Sequence, residues 1–146
     1  MNSRTLRHLL VLLLTGLGLL AALPAAAELV VVVNPKSGVE RLNRDEVINI
    51  FLGRYRQLPS GITAQPVDLP ATQPEKALMY HLLVGKDLDQ IASYWSRLVF
   101  SGRTSPPVQA SSTEEVLRYV AANRGAVGYV ERTRVDGRVR VVLEIQ

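Results

Sequence analysis

An α/β domain, with helices layered over a mixed sheet, is the architecture this sequence predicts, and three observations predict it. Leu29 to Val33 is an aliphatic run without alternation, as a strand buried on both faces requires. Four later segments keep a 3.6-residue apolar period behind polar capping residues. Shorter apolar runs stand between and after them, so the order reads strand, helix, strand, helix, helix, strand, helix, strand, strand. The 146 residues are 47% hydrophobic and 21% charged, which suits one ordinary core and no second domain.

Asn34-Pro35 ends the first strand. Asn43 then offers a side-chain cap and Glu46 its reciprocal, with Val47, Ile48, Phe51 and Leu52 along one face and Gly53 as the stop. A turn at Pro59-Ser60-Gly61 leads into a second strand over Ile62 to Val67. Thr72 and Glu75 repeat the capping spacing, and Pro74 fits the first turn, where an N–H has no partner to lose. Leu78, Met79, Leu82 and Leu83 face inward before Gly85. Asp87 and Gln90 open the clearest helix, in which Leu88, Ile91, Ala92, Trp95, Leu98 and Val99 keep the period to Phe100, and Gly102 closes it. Thr104 to Pro107 reads as a linker and Val108 to Ala110 as a short strand. Ser112 and Glu115 cap a fourth helix with the stripe Val116, Leu117, Val120 and Ala121, ended by Gly125. Ala126 to Val130 and Val139 to Ile145 are strands joined by a polar turn at Asp136-Gly137.

Residues 1–27 have the three parts of a secretory signal: basic Arg4, Arg7 and His8, an apolar stretch from Leu9 to Leu23, and small Ala25 and Ala27. Cleavage is expected between Ala27 and Glu28, leaving residues 28–146 as the working domain in the periplasm. The competing reading is a retained anchor, although the apolar stretch falls short of the roughly 20 residues that span a bilayer.

Seventeen Lys and Arg against thirteen Asp and Glu give +4, and Arg4 and Arg7 belong to the leader. So small an excess excludes a nucleic-acid binder. The absence of Cys excludes disulfides, thiolate metal sites and a cysteine nucleophile. His81 is the only histidine beyond the leader, too few for a histidine metal site or a catalytic triad. No enzyme, cofactor or metal is therefore expected. Trp95 lies in the helical period and is assigned to the core. Arg54, Tyr55 and Arg56 form a basic and aromatic cluster, read as a solvated edge against the alternative of a partner patch. Arg132, Arg134, Arg138 and Arg140 form the densest positive run and are assigned to solubility, against the alternative of binding an anionic surface.

Several motifs together carry a resemblance. Leu29-Val-Val-Val-Val-Asn-Pro35 running into Asp45-Glu46-Val-Ile-Asn-Ile-Phe-Leu-Gly53, then Pro66-Val-Asp68, Trp95, Phe100-Ser-Gly102 and Gly125-Ala-Val-Gly-Tyr-Val130, resemble the phosphate-binding proteins of bacterial ABC importers. Those proteins are longer and close two lobes on an oxyanion. This chain resembles the second lobe, and so a short single-lobe relative with one lobe of the type 2 periplasmic-binding-protein fold. The resemblance implies a ligand wall where the Pro66-Val67-Asp68 strand meets the next helix. Helix starts suit anions independently, through unpaired amides and a partial positive charge. The family carries an arginine and a Ser-Gly-Thr type turn there; this chain has Leu69 at the arginine's place and reads Asp68-Leu69-Pro70-Ala71-Thr72-Gln73-Pro74.

The candidate ligand residues are Asp68, Thr72, Gln73 and Lys76, with Lys36 and Ser37 from the loop after the first strand. That loop, Asn34-Pro-Lys-Ser-Gly38, also resembles the opening motif of diacylglycerol-kinase-type lipid kinases, but their later Gly-Gly-Asp-Gly loop does not occur here. The expected partners are a small phosphate-like anion, an ABC permease or other envelope protein, and a second copy of the chain. The alternative function is an extracytoplasmic interaction module that kept the lobe fold without its ligand.

Overall fold

The computed structural model describes residues 27–146, so the expected leader lies outside the described residues except for Ala27. Strand β1, Leu29–Val33, is buried at every position. It earns that burial by standing inside the sheet, antiparallel to β4, Ala126–Glu131, on one side and to β5, Arg140–Ile145, on the other. Strand β2, Gln65–Asp68, runs parallel to β4, and the two-residue β3, Val108–Gln109, runs parallel to β2. The resulting mixed sheet has the order β3-β2-β4-β1-β5. The element order and the mixed sheet are those read from the sequence.

Helix α1, Arg44–Phe51, begins with the expected reciprocal cap: Glu46 N–H donates to the Asn43 side chain and Asn43 N–H donates to Glu46, each at 2.8 Å. Helix α2 is Pro74–Val84, α3 is Leu88–Phe100 and α4 is Thr113–Ala122. Asp87 and Gln90 cap α3 in the same reciprocal way, and Ser112 caps α4 through Glu115 N–H. The Glu115 side chain turns instead to Ser111. Successive strand residues face opposite ways. On β4, Gly128 therefore meets Val116 and Val120 of α4, while Tyr129 faces the other layer and meets Phe51 of α1 edge-on with 5.8 Å between rings.

Four expectations need correction. The second strand begins at Gln65, not Ile62; Thr63 makes only an isolated bridge to Gln57. Thr72 does not cap α2. Its N-cap is Gln73, because Pro74 takes the first helical position and holds the preceding residue extended, at ψ 123°. Gly125 does not end α4, which stops at Ala122. Gly125 is buried where the chain at Thr63 crosses it: a Cβ there would meet the Thr63 carbonyl oxygen at 2.0 Å. Ala121 is exposed rather than part of the buried stripe.

Candidate functional site

β2 ends on Asp68, and its carboxylate sits under the sheet at 4% exposure. Three neighbours donate hydrogen bonds to it. Tyr80 Oη from α2 donates to Oδ2 at 2.7 Å, Tyr129 Oη from β4 donates to Oδ1, and Leu69 N–H donates to Oδ1 at 2.8 Å. Lys76 Nζ, one helical turn before Tyr80, stands 3.5 Å from Oδ2. Burial first, and then the nearby Asp68 charge, push both tyrosine hydroxyls well above the ordinary phenol range. Both remain donors throughout neutral pH. Sequence reasoning missed Tyr80 and Tyr129. Each had one signal: Tyr80 follows Lys76 at the i+4 spacing of a shared helix face, and Tyr129 is a polar tip in a buried strand.

Above this cluster opens a cleft of about 350 Å³, bounded by Asp68, Ala71 and Lys76 at one end and by Leu88, Ile91 and Trp95 of α3 along its side. Trp95 is buried and its Nε1–H has no acceptor. The start of α2 has no side-chain cap. Its amides are fewer than the sequence implied: Pro74 has none, and Lys76 N–H donates to the Gln73 carbonyl at 3.1 Å. Glu75 N–H has no protein acceptor. Thr72 is exposed in the turn closed by Gln73 N–H on the Pro70 carbonyl, and Gln73 is partly buried. Leu69, where the family's arginine is expected, is wholly buried.

The structure thus brings Asp68 and Lys76 together, with Thr72 and Gln73 on the adjoining turn. It separates Lys36 and Ser37 from them. β1 is antiparallel to β4 and β4 is parallel to β2, so β1 ends at the edge of the sheet where β2 begins, away from Asp68. The loop also has another occupation. Asn34 Nδ2 donates to the Val120 and Ala121 carbonyls at 2.9 and 3.0 Å, closing the C-terminal end of α4, and its Oδ1 accepts from Lys36 N–H. Ser37 is fully buried, with Oγ accepting from Val39 N–H. Lys36 and Ser37 therefore do not belong to a ligand site shared with Asp68.

No protein-family model matches the sequence, and no curated protein matches it significantly. Solved structures do match. An ABC-type phosphate transport receptor from Vibrio cholerae superposes at a TM-score of 0.64 with 18% identity, over 80% of this chain and 45% of that one. A protein from Clostridium perfringens, assigned as a phosphate ABC transporter substrate-binding protein and holding phosphate, gives 0.62 and 15%, over 80% and 44%. PstS from Borrelia burgdorferi gives 0.61 and 9%, over 80% and 46%. At such identities the likeness is one of fold. This chain spans less than half the length of those proteins, and its mixed sheet and helices match a lobe of the periplasmic-binding-protein fold.

Proposed function

We propose that the chain is an exported, single-lobe, solute-binding-like protein that takes a small anion, phosphate or one of similar size, where β2 ends and α2 begins. In this reading it serves an ABC-type uptake or sensing system and catalyses nothing. The observation that carries it is the cleft opening on Lys76 beside an uncapped helix start. Lys76 and Glu75 N–H supply the charge and the free amide, and Thr72 and Gln73 stand on the adjoining turn. The fold shared with phosphate receptors supports the same reading.

The binding is weak for physical reasons. Lys76 already faces Asp68, Pro74 has no amide and that of Lys76 is taken by the Gln73 carbonyl, and one lobe leaves half of the ligand in water. A dissociation constant of about 1 mM, or roughly −4 kcal/mol, is what such a site supports. A melting scan of the domain against phosphate, sulfate and small carboxylates, at constant ionic strength, tests it. Phosphate at 100 times its dissociation constant adds about 2.7 kcal/mol of stability, and Lys76→Gln should abolish that gain while the fold is kept. No anion-dependent shift in the natural chain, or an unchanged shift in the variant, rejects the proposal.

A second reading, an extracytoplasmic module that pairs with its own copy, has one observation in its favour. Phe100 and Val99, at the end of α3, are 96% and 53% exposed. Sedimentation at rising concentration, with Phe100→Ser as the contrast, separates it from the first: a dimer that the substitution dissolves supports pairing, and a monomer throughout rejects it.

A further inference from the structure

A second cleft, about 440 Å³, lies along the open edge of the sheet, away from the start of α2. It exists because β3 is too short. β3 pairs with β2 only at Val67 and Asp68, so Gln65 and Pro66 have no strand on that side. The gap is flanked by Tyr55 and Arg56, which follow α1, and by the segment from Arg103 to Val108 that leads into β3. Arg56 donates to the Arg103 carbonyl and so ties the two sides together.

The charges here lack the carboxylate partners that the arginines near the C-terminus have. Near the C-terminus, Arg132, Arg134 and Arg138 are matched by Glu28, Glu144, Glu114 and Asp136. Among the described residues, Arg56 and Arg103 face no carboxylate, and no Asp or Glu lines the cleft. Two large hydrophobic side chains also stand open at this place, Tyr55 at 49% and Val108 at 46% exposure. Unpaired arginine beside exposed tyrosine and an aliphatic side chain is the composition that protein interfaces select. A second copy would bring like charges together, which disfavours self-pairing here. A bare inorganic anion would leave the apolar side chains uncovered.

We propose that this groove docks an extended acidic segment of another protein, its carboxylates meeting the Arg56 and Arg103 forks and its apolar side chains covering Tyr55 and Val108. The groove shares the wall at Pro106 and Pro107 with the anion cleft, but Arg56 and Arg103 line only the groove and Lys76 only the anion cleft, so substitutions at these residues test the two readings apart. The test is fluorescence anisotropy with labelled peptides of about nine residues in which Glu alternates with Val and Tyr, against counterparts carrying Lys in place of Glu. The acidic peptides are expected to bind saturably and to weaken with salt, and the Lys counterparts to bind at least about tenfold more weakly. R56Q/R103Q should weaken the acidic peptide by about tenfold or more, and R56E/R103E further, with circular dichroism confirming the fold. Arg41→Glu, on another surface, should leave binding unchanged. The proposal is overturned by failure of every acidic peptide to saturate, by equal binding of the Lys peptides, or by full binding in folded R56Q/R103Q. Displacement by free glutamate at equal carboxylate concentration, which would reveal a small-anion site only, also overturns it, as does tighter arginine-dependent binding to anionic vesicles than to any peptide.

Discussion

Asp68 shows what a buried carboxylate requires. It accepts from two phenols and a backbone amide and faces a lysine, so removing it leaves several polar groups facing nothing. Breaking one side of such a cluster typically costs about 3 to 5 kcal/mol, so Asp68→Ala should lower the urea midpoint by a large fraction of total stability. Asp68→Asn, which keeps an acceptor, should cost less. The tyrosines add a pH dependence whose sign is fixed. Their folded-state hydroxyls hold protons above the ordinary phenol value, so their contribution is fully present below about pH 10 and lost as pH rises beyond it. Urea titrations at increasing alkalinity should therefore show falling stability, with a shallower fall in Tyr129→Phe than in the natural chain; equal slopes would refute the assignment. Little of this cluster was legible beforehand. Asp68 and Lys76 stood out as charges near a helix start, but Tyr80 and Tyr129 lie 12 and 61 positions from Asp68, and no local pattern links them. Lys36 and Ser37 were misplaced for a related reason: strand direction, which decides the end of the sheet a loop occupies, is not written in a loop's own residues.

At the scale of the element, the sequence was most readable where the physics is local. Asn43 with Glu46 and Asp87 with Gln90 form their reciprocal caps because all donors and acceptors lie within one turn. Thr72 with Glu75 has the same spacing and forms no cap, because Pro74 fixes the first helical position and moves the boundary to Gln73. These two cases make a paired prediction by thermal or urea unfolding. Asn43→Ala should cost about 1 kcal/mol, and Thr72→Ala should change stability by less than about 0.5 kcal/mol. A comparable loss at Thr72 would mean that its hydroxyl caps α2 after all. Gly125 failed as a stop signal for a different reason. Its need for no side chain comes from the crossing of the chain at Thr63, a contact between segments far apart in sequence.

Across the whole molecule, the topology ties early and late segments into one unit. β1 cannot be buried until both β4 and β5 flank it, with Leu29 opposite Glu131 on one side and Ile145 on the other. Such non-local pairing delays the reward for ordering the chain and makes folding all-or-none. Helix α3 is the element that could have stood apart, since its buried residues are only Ile91 and Trp95. It is nevertheless anchored: Tyr94 Oη donates to the Leu52 carbonyl at 2.6 Å, and the Trp95 ring reaches Gly53 so closely that a Cβ there would lie 2.9 Å from it. Trp95 is the single tryptophan of the chain, so its fluorescence reports on α3 while far-ultraviolet circular dichroism reports on all helices and strands together. If the anchors couple α3 to the sheet, the two signals should trace one urea transition with the same midpoint and slope. A fluorescence transition at distinctly lower urea would instead mark α3 as a separately opening unit. It would also put the cleft beside Lys76, which α3 walls, at the least stable part of the fold.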